Sequence, residues 1–175
     1  PAGRIGAKPS IKLSNFFKLN EFKMLRLKTG TPPRLCGNSI IYKDCIEQKG
    51  DKVPEPFSFL TDKIKTKQIN CYITHTNQKT HKIIKNNLNN SPMFDGSIKS
   101  KGPRYCPSVE DKINRFSYKD SHQIFLEPET IDGTNIYPNG ISTSLPKTIQ
   151  DEFIFSIKGL ENAVIKQYGY SIEYD

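Results

Sequence analysis

Several familiar signatures are missing from this sequence. It has four cysteines, Cys36, Cys45, Cys71 and Cys106, but no C-x-x-C pair and no cysteine–histidine spacing of the zinc type. Structural zinc sites and a dense disulfide framework are thereby excluded, and a reduced, cytosol-like compartment is expected. No apolar run is long enough to span a bilayer. No signal peptide opens the chain, which begins at Pro1 rather than Met, so the true start is expected upstream. Blocks of about five or more like charges, internal repeats and low-complexity segments are absent. Neither G-x-G-x-x-G nor G-x-x-x-x-G-K-[ST] occurs, which removes the common phosphate-binding loops.

Acidic residues are also in deficit: 26 Lys plus Arg face 18 Asp plus Glu, a net charge of +8 with a sequence pI near 9.3. Such a balance favours an anionic partner such as nucleic acid, against the plainer reading of a lysine- and asparagine-rich solvated surface. Arginine is scarce, limited to Arg4, Arg26, Arg34, Arg104 and Arg115. Its planar fork makes two-point contacts with phosphate or carboxylate that lysine does not, so these positions draw attention.

The pattern of elements is mixed. Leu13, Phe16, Phe17 and Leu19 fall on one helix face. Met24-Leu25-Arg26-Leu27 reads as a short strand running into Lys28-Thr29-Gly30-Thr31-Pro32-Pro33-Arg34, which reads as a loop able to cradle phosphate through its N–H groups. Residues 35–70 read as irregular and strand-poor, with Val53-Pro54-Glu55-Pro56 extended. Cys71 to Thr74 reads as a strand, and Asn77 to Leu88 as a helix capped by Thr76 or Asn77 with Ile83, Ile84 and Leu88 inward. Gln123 to Leu126 reads as a strand ending before Glu127-Pro128. A further helix is capped by Ser144, carries Pro146 in its first turn, buries Ile149, Phe153, Ile154 and Ile157, and ends at Gly159. Val164-Ile165 and Tyr170-Ser171-Ile172 read as closing strands. This order predicts α+β or α/β pieces.

The richest chemistry lies in Gly102-Pro103-Arg104-Tyr105-Cys106-Pro107-Ser108-Val109-Glu110-Asp111-Lys112. Pro107 suits the first position of a helix, which places Cys106 at the helix N-terminus, where unpaired N–H groups and the dipole stabilise an anion. Arg104 and Lys112 add positive charge, and together these conditions favour a reactive thiolate. Gly102 lets the backbone approach a flat cofactor or a phosphate. The alternative is an inert buried thiol beside a cap. Cys36, Cys45 and Cys71 lack such surroundings and read as structural. His75 and His81 are candidate acid–base groups, with capping or surface roles the plainer reading, and His122 reads as structural. Glu127 and Glu129 flank Pro128 at a turn.

The segment Gly102 to Lys112 resembles the signature of the MnmG/GidA family, the tRNA uridine 5-carboxymethylaminomethyl modification enzymes. Leu27 to Arg34, Cys71 to Asn77, His122 to Glu129 and Tyr137-Pro138-Asn139-Gly140-Ile141-Ser142-Thr143-Ser144-Leu145-Pro146 are similar to further blocks of that family, in the same order. The resemblance implies an internal fragment of an α/β flavoprotein: residues 1–101 mostly an inserted α+β domain, residues 102–175 part of a Rossmann-like FAD/NAD-binding domain. The N-terminal dinucleotide turn, a second catalytic cysteine and a C-terminal helical domain are expected outside the chain. It further implies FAD and NADH as cofactors, 5,10-methylenetetrahydrofolate as one-carbon donor, tRNA as substrate at its wobble uridine, an MnmE-type GTPase as partner, and a homodimer. By the same resemblance Cys106 matches a cysteine proposed to act in catalysis. Gly102, Pro103, Arg104, Tyr105, Cys106, Pro107, Ser108, Val109, Glu110, Asp111, Lys112, Ile113, Asn114, Arg115 and Phe116 match the dinucleotide-binding segment. No metal and no membrane are expected; the location implied is bacterial cytoplasm, or alternatively a mitochondrion. Two other readings stay open: a folate- and FAD-dependent tRNA uracil methyltransferase, and a basic RNA-binding module without chemistry.

Overall fold

The computed structural model describes residues 3–98, 100, 102–103 and 106–174. Its first helix, α1 (Lys12–Leu19), follows the expected apolar spacing, yet no residue of it is buried. Leu13, Phe16 and Leu19 are 60%, 55% and 83% exposed. Leu13 borders an apolar groove of about 870 Å³ that Phe17, Phe22, Leu25 and Tyr174 also line. Strand β1 (Leu27–Gly30) pairs antiparallel with β8 (Ser171–Tyr174). The strand expected at Met24–Leu27 therefore lies three residues further on, because its partner β8, not local propensity, decides which residues become strand.

Six other strands form one antiparallel sheet. They are β2 (Arg34–Cys36), β3 (Ile46–Gln48), β4 (Cys71–His75), β5 (Gln123–Pro128), β6 (Asn135–Asn139) and β7 (Ile165–Gln167), in the order β3-β4-β5-β6-β2-β7. Every pairing is antiparallel. The sheet draws strands from both sides of residue 101, and one core runs beneath them. Three helices cover its inner face: α2 (Gln78–Asn86), α3 (Val109–Arg115) and α4 (Lys147–Phe155). Mixed α and β elements in this arrangement bear out the expected class.

Alternation along the strands sets the two faces. In β5, Ile124 and Leu126 are fully buried while Gln123 and Phe125 turn the other way; in β6, Ile136 and Pro138 point inward and Tyr137 outward. Leu35 of β2 is buried between the outward Arg34 and Cys36. The inward residues meet Ile84 of α2, Val109 and Ile113 of α3, and Phe153 and Ile154 of α4. Helix α2 starts as the sequence implies, with an Asn77 capping box: Asn77 Oδ1 accepts from Thr80 N at 3.0 Å.

Several boundaries differ from the sequence reading. Strand β5 runs through Glu127 to Pro128, because β6 continues to pair with it. Strand β6 itself was hidden by Pro138 and the Asn139-Gly140 turn. Pro138 is tolerated because β2 reaches only Asn135 and Ile136, so no ladder bond on that side needs its missing N–H. Gly140 then turns at φ +108, where an added Cβ would lie 2.8 Å from Gln123 O. Helix α4 begins at Lys147 with Pro146 at its cap, and ends at Phe155, before Gly159. Ser144 does not cap it: its hydroxyl pairs with Ser91 Oγ at 2.8 Å, and Pro146 occupies the cap position.

Phe153 is fully buried at the centre of the core. Phe153→Ala is expected to lower unfolding free energy by about 3–5 kcal/mol, read from urea denaturation midpoints.

Candidate functional site

Cys106 is exposed. It lies two residues before Ser108, the N-cap of α3, so the helix starts later than Pro107 and does not begin at the thiol. Two of the first-turn donors are already taken. Val109 N donates to Ser142 O at 2.8 Å, and Asp111 N donates to Ser108 Oγ at 3.2 Å. Glu110 and Asp111 place two acidic groups in that turn. With these two donors engaged, two acids in the turn and the cap at Ser108, the terminus is not the thiolate site expected from Pro107, which corrects that expectation.

Other groups surround the sulfur. Thr29 Oγ1 of β1 lies 3.3 Å from Cys106 Sγ. Lys112, one turn into α3, donates from Nζ to Gly140 O at 2.8 Å. Burial holds this lysine below its usual range, and a thiolate at Cys106 opposes that shift. Tyr137 projects from the outer face of β6, with the Arg34 guanidinium 4.3 Å above its ring. Burial pushes the Tyr137 phenol up; Arg34 opposes this, and Cys106, Glu127 and Glu129 add to it. Arg34 is itself anchored, donating from Nε to Glu129 Oε1 at 2.8 Å and from a terminal nitrogen to Pro32 O at 2.8 Å. The outer face of β2, β5 and β6, the start of α3 and the edge strand β1 thus converge around one exposed thiol.

The run Lys28 to Arg34 is not a phosphate-cradling loop. Lys28, Thr29 and Gly30 belong to β1, Thr31 N donates to Tyr170 O at 2.9 Å, and Lys28 Nζ donates to Met93 O at 3.0 Å. With Arg34 held by Glu129, the cations and the Thr31 N–H expected to meet phosphate already have protein partners.

The segment expected to bind a dinucleotide divides by burial. Gly102, Pro103, Pro107, Asp111 and Lys112 are half-buried, and Cys106, Asn114, Arg115 and Phe116 are exposed. Ser108, Val109, Glu110 and Ile113 are buried. Their side chains face the interior, so they support the segment from behind rather than meet a ligand. Arg104 and Tyr105 lie outside the described residues.

Glu110 is the most informative of these. It is fully buried, and its Oε1 accepts from Thr143 Oγ1 at 2.9 Å, Ser144 N at 3.0 Å and Ser91 Oγ at 3.3 Å. Its Oε2 has no hydrogen-bond partner among the protein atoms. Burial raises its pKa; the bonds from Ser144 and Thr143 only partly offset this. Thr143 in turn bridges to Thr31, so one carboxyl ties the start of α3 to the end of β1.

The histidines separate as well. His75 is exposed at the end of β4. His81 is buried, with Nε2 2.7 Å from Thr76 Oγ1, and stacks on His122 at 5.3 Å. Burial holds both rings below their usual range. Cys45 and Cys71 are half-buried thiols raised mainly by burial. No group of His, Cys, Asp and Glu able to hold a metal occurs among the described residues, and no helix there is long and apolar enough to cross a membrane. Sequence reasoning missed Tyr137 and the tie made by Glu110. The period-two pattern Ile136-Tyr137-Pro138 carried the signal for the first; nothing local carried the second.

Comparison with known proteins covers the whole chain. The family model described as glucose inhibited division protein A matches residues 1–175. A tRNA uridine 5-carboxymethylaminomethyl modification enzyme MnmG from Thermodesulfovibrio yellowstonii is 55% identical over 174 residues, which is 99% of this chain and 28% of that protein. GidA of Aquifex aeolicus, solved in two crystal forms, superposes with TM-scores of 0.85 and 0.83 at 48% and 45% identity. In each case 99% of this chain is covered, against 30% and 28% of the Aquifex chain. The chain therefore spans under a third of these relatives.

Because the folded-state pKa of Glu110 is raised, the neutral acid is the favoured form inside. Its contribution to stability is full below the ordinary carboxylate pKa and is lost as pH rises through the raised one. Glu110→Gln is expected to remove this dependence. Denaturation midpoints of the two proteins compared at each pH should shift in favour of the variant as pH rises; a shift toward the native protein overturns the assignment.

Proposed function

The chain belongs to the glucose inhibited division protein A family, and from that premise we propose that it is the thiol-bearing portion of an enzyme that modifies carbon 5 of the wobble uridine in tRNA. The observation that carries the chemistry is the exposed Cys106 thiol, 3.3 Å from Thr29 Oγ1, with the half-buried ammonium of Lys112 in its field.

Carbon 5 of a uridine is a weak nucleophile. A thiolate that adds to carbon 6 forms an S–C bond, moves the ring π electrons toward the carbonyl oxygen at carbon 4, and makes carbon 5 reactive. That role is assigned to Cys106 on the exposure of its thiol. Lys112 places a half-buried cation in the field of that sulfur. Thr29 fixes the sulfur by one hydrogen bond. The half-buried Tyr137, with the Arg34 guanidinium over its ring, lies in the field of the same sulfur.

A nicotinamide dinucleotide fits this segment on one observation: a Cβ built at Gly102 meets nothing nearer than Asp111 Oδ2 at 3.9 Å, so a flat ring has room against the backbone. Gly102, Pro103 and Cys106 are the described residues that would hold it, and the group would supply hydride. The described residues contain no parallel strand–glycine turn–helix unit that would seat the pyrophosphate of FAD. No step is assigned to flavin here, and FAD, the folate donor, the MnmE-type GTPase and the dimer are proposals for the whole protein.

In the full-length enzyme, Cys106→Ser is expected to slow uridine modification by at least about a thousandfold while leaving tRNA affinity within twofold. Modification at the native rate, followed by mass spectrometry of digested tRNA, overturns the catalytic role. The 175-residue chain alone is expected to purify without flavin absorbance and to modify no tRNA.

A further inference from the structure

A second feature lies at the other end of α3. Helix α2 carries Lys79, Lys82 and Lys85 three residues apart, all exposed, and no acidic residue. Its opposite face, Thr80, His81 and Ile84, is buried. Lys82 and Lys85 line a recess of about 230 Å³, with Lys119 from the turn after α3 on the far side. None of these three lysines makes an ion pair among the described residues. Asp120 is the one acidic lining residue, and its Oδ1 accepts from Gln78 Nε2 at 3.4 Å. Lys119 is held in place over the Phe116 ring, 5.6 Å from its centroid.

We propose that this recess grips the phosphodiester backbone of the tRNA substrate beside the nucleotide presented to Cys106. The inference rests on the function proposed above and extends it to a binding surface. Three cations against one carboxylate match a polyanion. The one ring lining the recess, His81, is buried and stacked on His122, so no open ring face is offered to a base or a nicotinamide, and the contact is with phosphate, independent of sequence. Spacing also fits. The seven residues of α3 span about 10 Å, roughly three steps of a stacked strand at about 3.4 Å each. The recess lies beyond the end of α3 opposite Cys106, so an RNA strand several nucleotides long can reach both. The lysines are felt nearby: Lys85 and Lys119 both act to hold His81 or His122 neutral, adding to the effect of burial.

The test uses the full-length enzyme carrying Lys82→Gln, Lys85→Gln and Lys119→Gln together. Binding of an unmodified tRNA transcript is measured across about 50–200 mM salt. Each lost phosphate contact lowers the slope of log affinity against log salt by about 0.7–0.9, so a fall of about two is expected. Affinity near physiological salt is expected to drop at least about tenfold. NADH affinity stays unchanged, and the matching lysine-to-arginine triple variant retains tRNA affinity. If the triple glutamine variant fails to fold, each single substitution is expected to lower the slope by its own share. An unchanged slope and affinity overturn the proposal, as does loss of NADH affinity with tRNA binding intact. Failure of the native enzyme to bind or modify tRNA instead overturns the function on which the proposal rests.

Discussion

Glu110 Oε1 accepts three hydrogen bonds from two segments that are distant in sequence: Ser91 after α2, and Thr143 and Ser144 before α4. Glu110 itself sits in the first turn of α3, the helix that follows Cys106. Around this buried oxygen the chain closes a polar junction. Ser144 Oγ meets Ser91 Oγ at 2.8 Å, and Thr143 bridges to Thr31 at the end of β1. A buried carboxyl surrounded by donors is costly to form and costly to break, since losing one side strands the other without water. Its reward is fixed geometry. The strand that offers Thr29 and the loop that offers Cys106 are held to the same anchor, which sets the 3.3 Å separation of the two side chains.

The sheet separates support from function. Its inner face, with Leu35, Ile124, Leu126 and Ile136, packs on α2, α3 and α4 and excludes water. Its outer face carries Arg34, Tyr137 and the carboxylates Glu127 and Glu129. Period-two alternation makes one strand serve both. Arg34 illustrates the consequence: it stands next to fully buried Leu35, so its backbone is fixed by the core while its guanidinium braces the ring of Tyr137.

The thiol is served by side chains rather than by a helix terminus. Ser108, Asp111 and Ser142 satisfy the first turn of α3 internally, and its acidic residues suit the helix dipole better than a second anion would. Positive charge at Cys106 comes instead from within the same helix, through Lys112. Lysine partly withdrawn from water is a local, directional partner, and its other contact, Gly140 O, belongs to the turn that ends β6. Helix, turn and thiol are thereby coupled.

Much was legible in the residues themselves. The capping box at Asn77, the buried stripe of α4 and the blocks around Cys106 depend on neighbours a few positions apart, where backbone geometry fixes which side chains meet. Composition gave the basic character, and order of motifs gave the family. What the residues did not disclose depends on partners far along the chain. Strand β1 exists because β8 lies beside it, Pro138 fits β6 because β2 stops short of it, and Ser144 is no cap because its hydroxyl meets Ser91. Local sequence determined periodicity, caps and candidate chemistry. Tertiary structure alone decided which donors were already taken and which faces were closed, because hydrogen bonds and burial are settled by whatever the fold brings within about 3–4 Å.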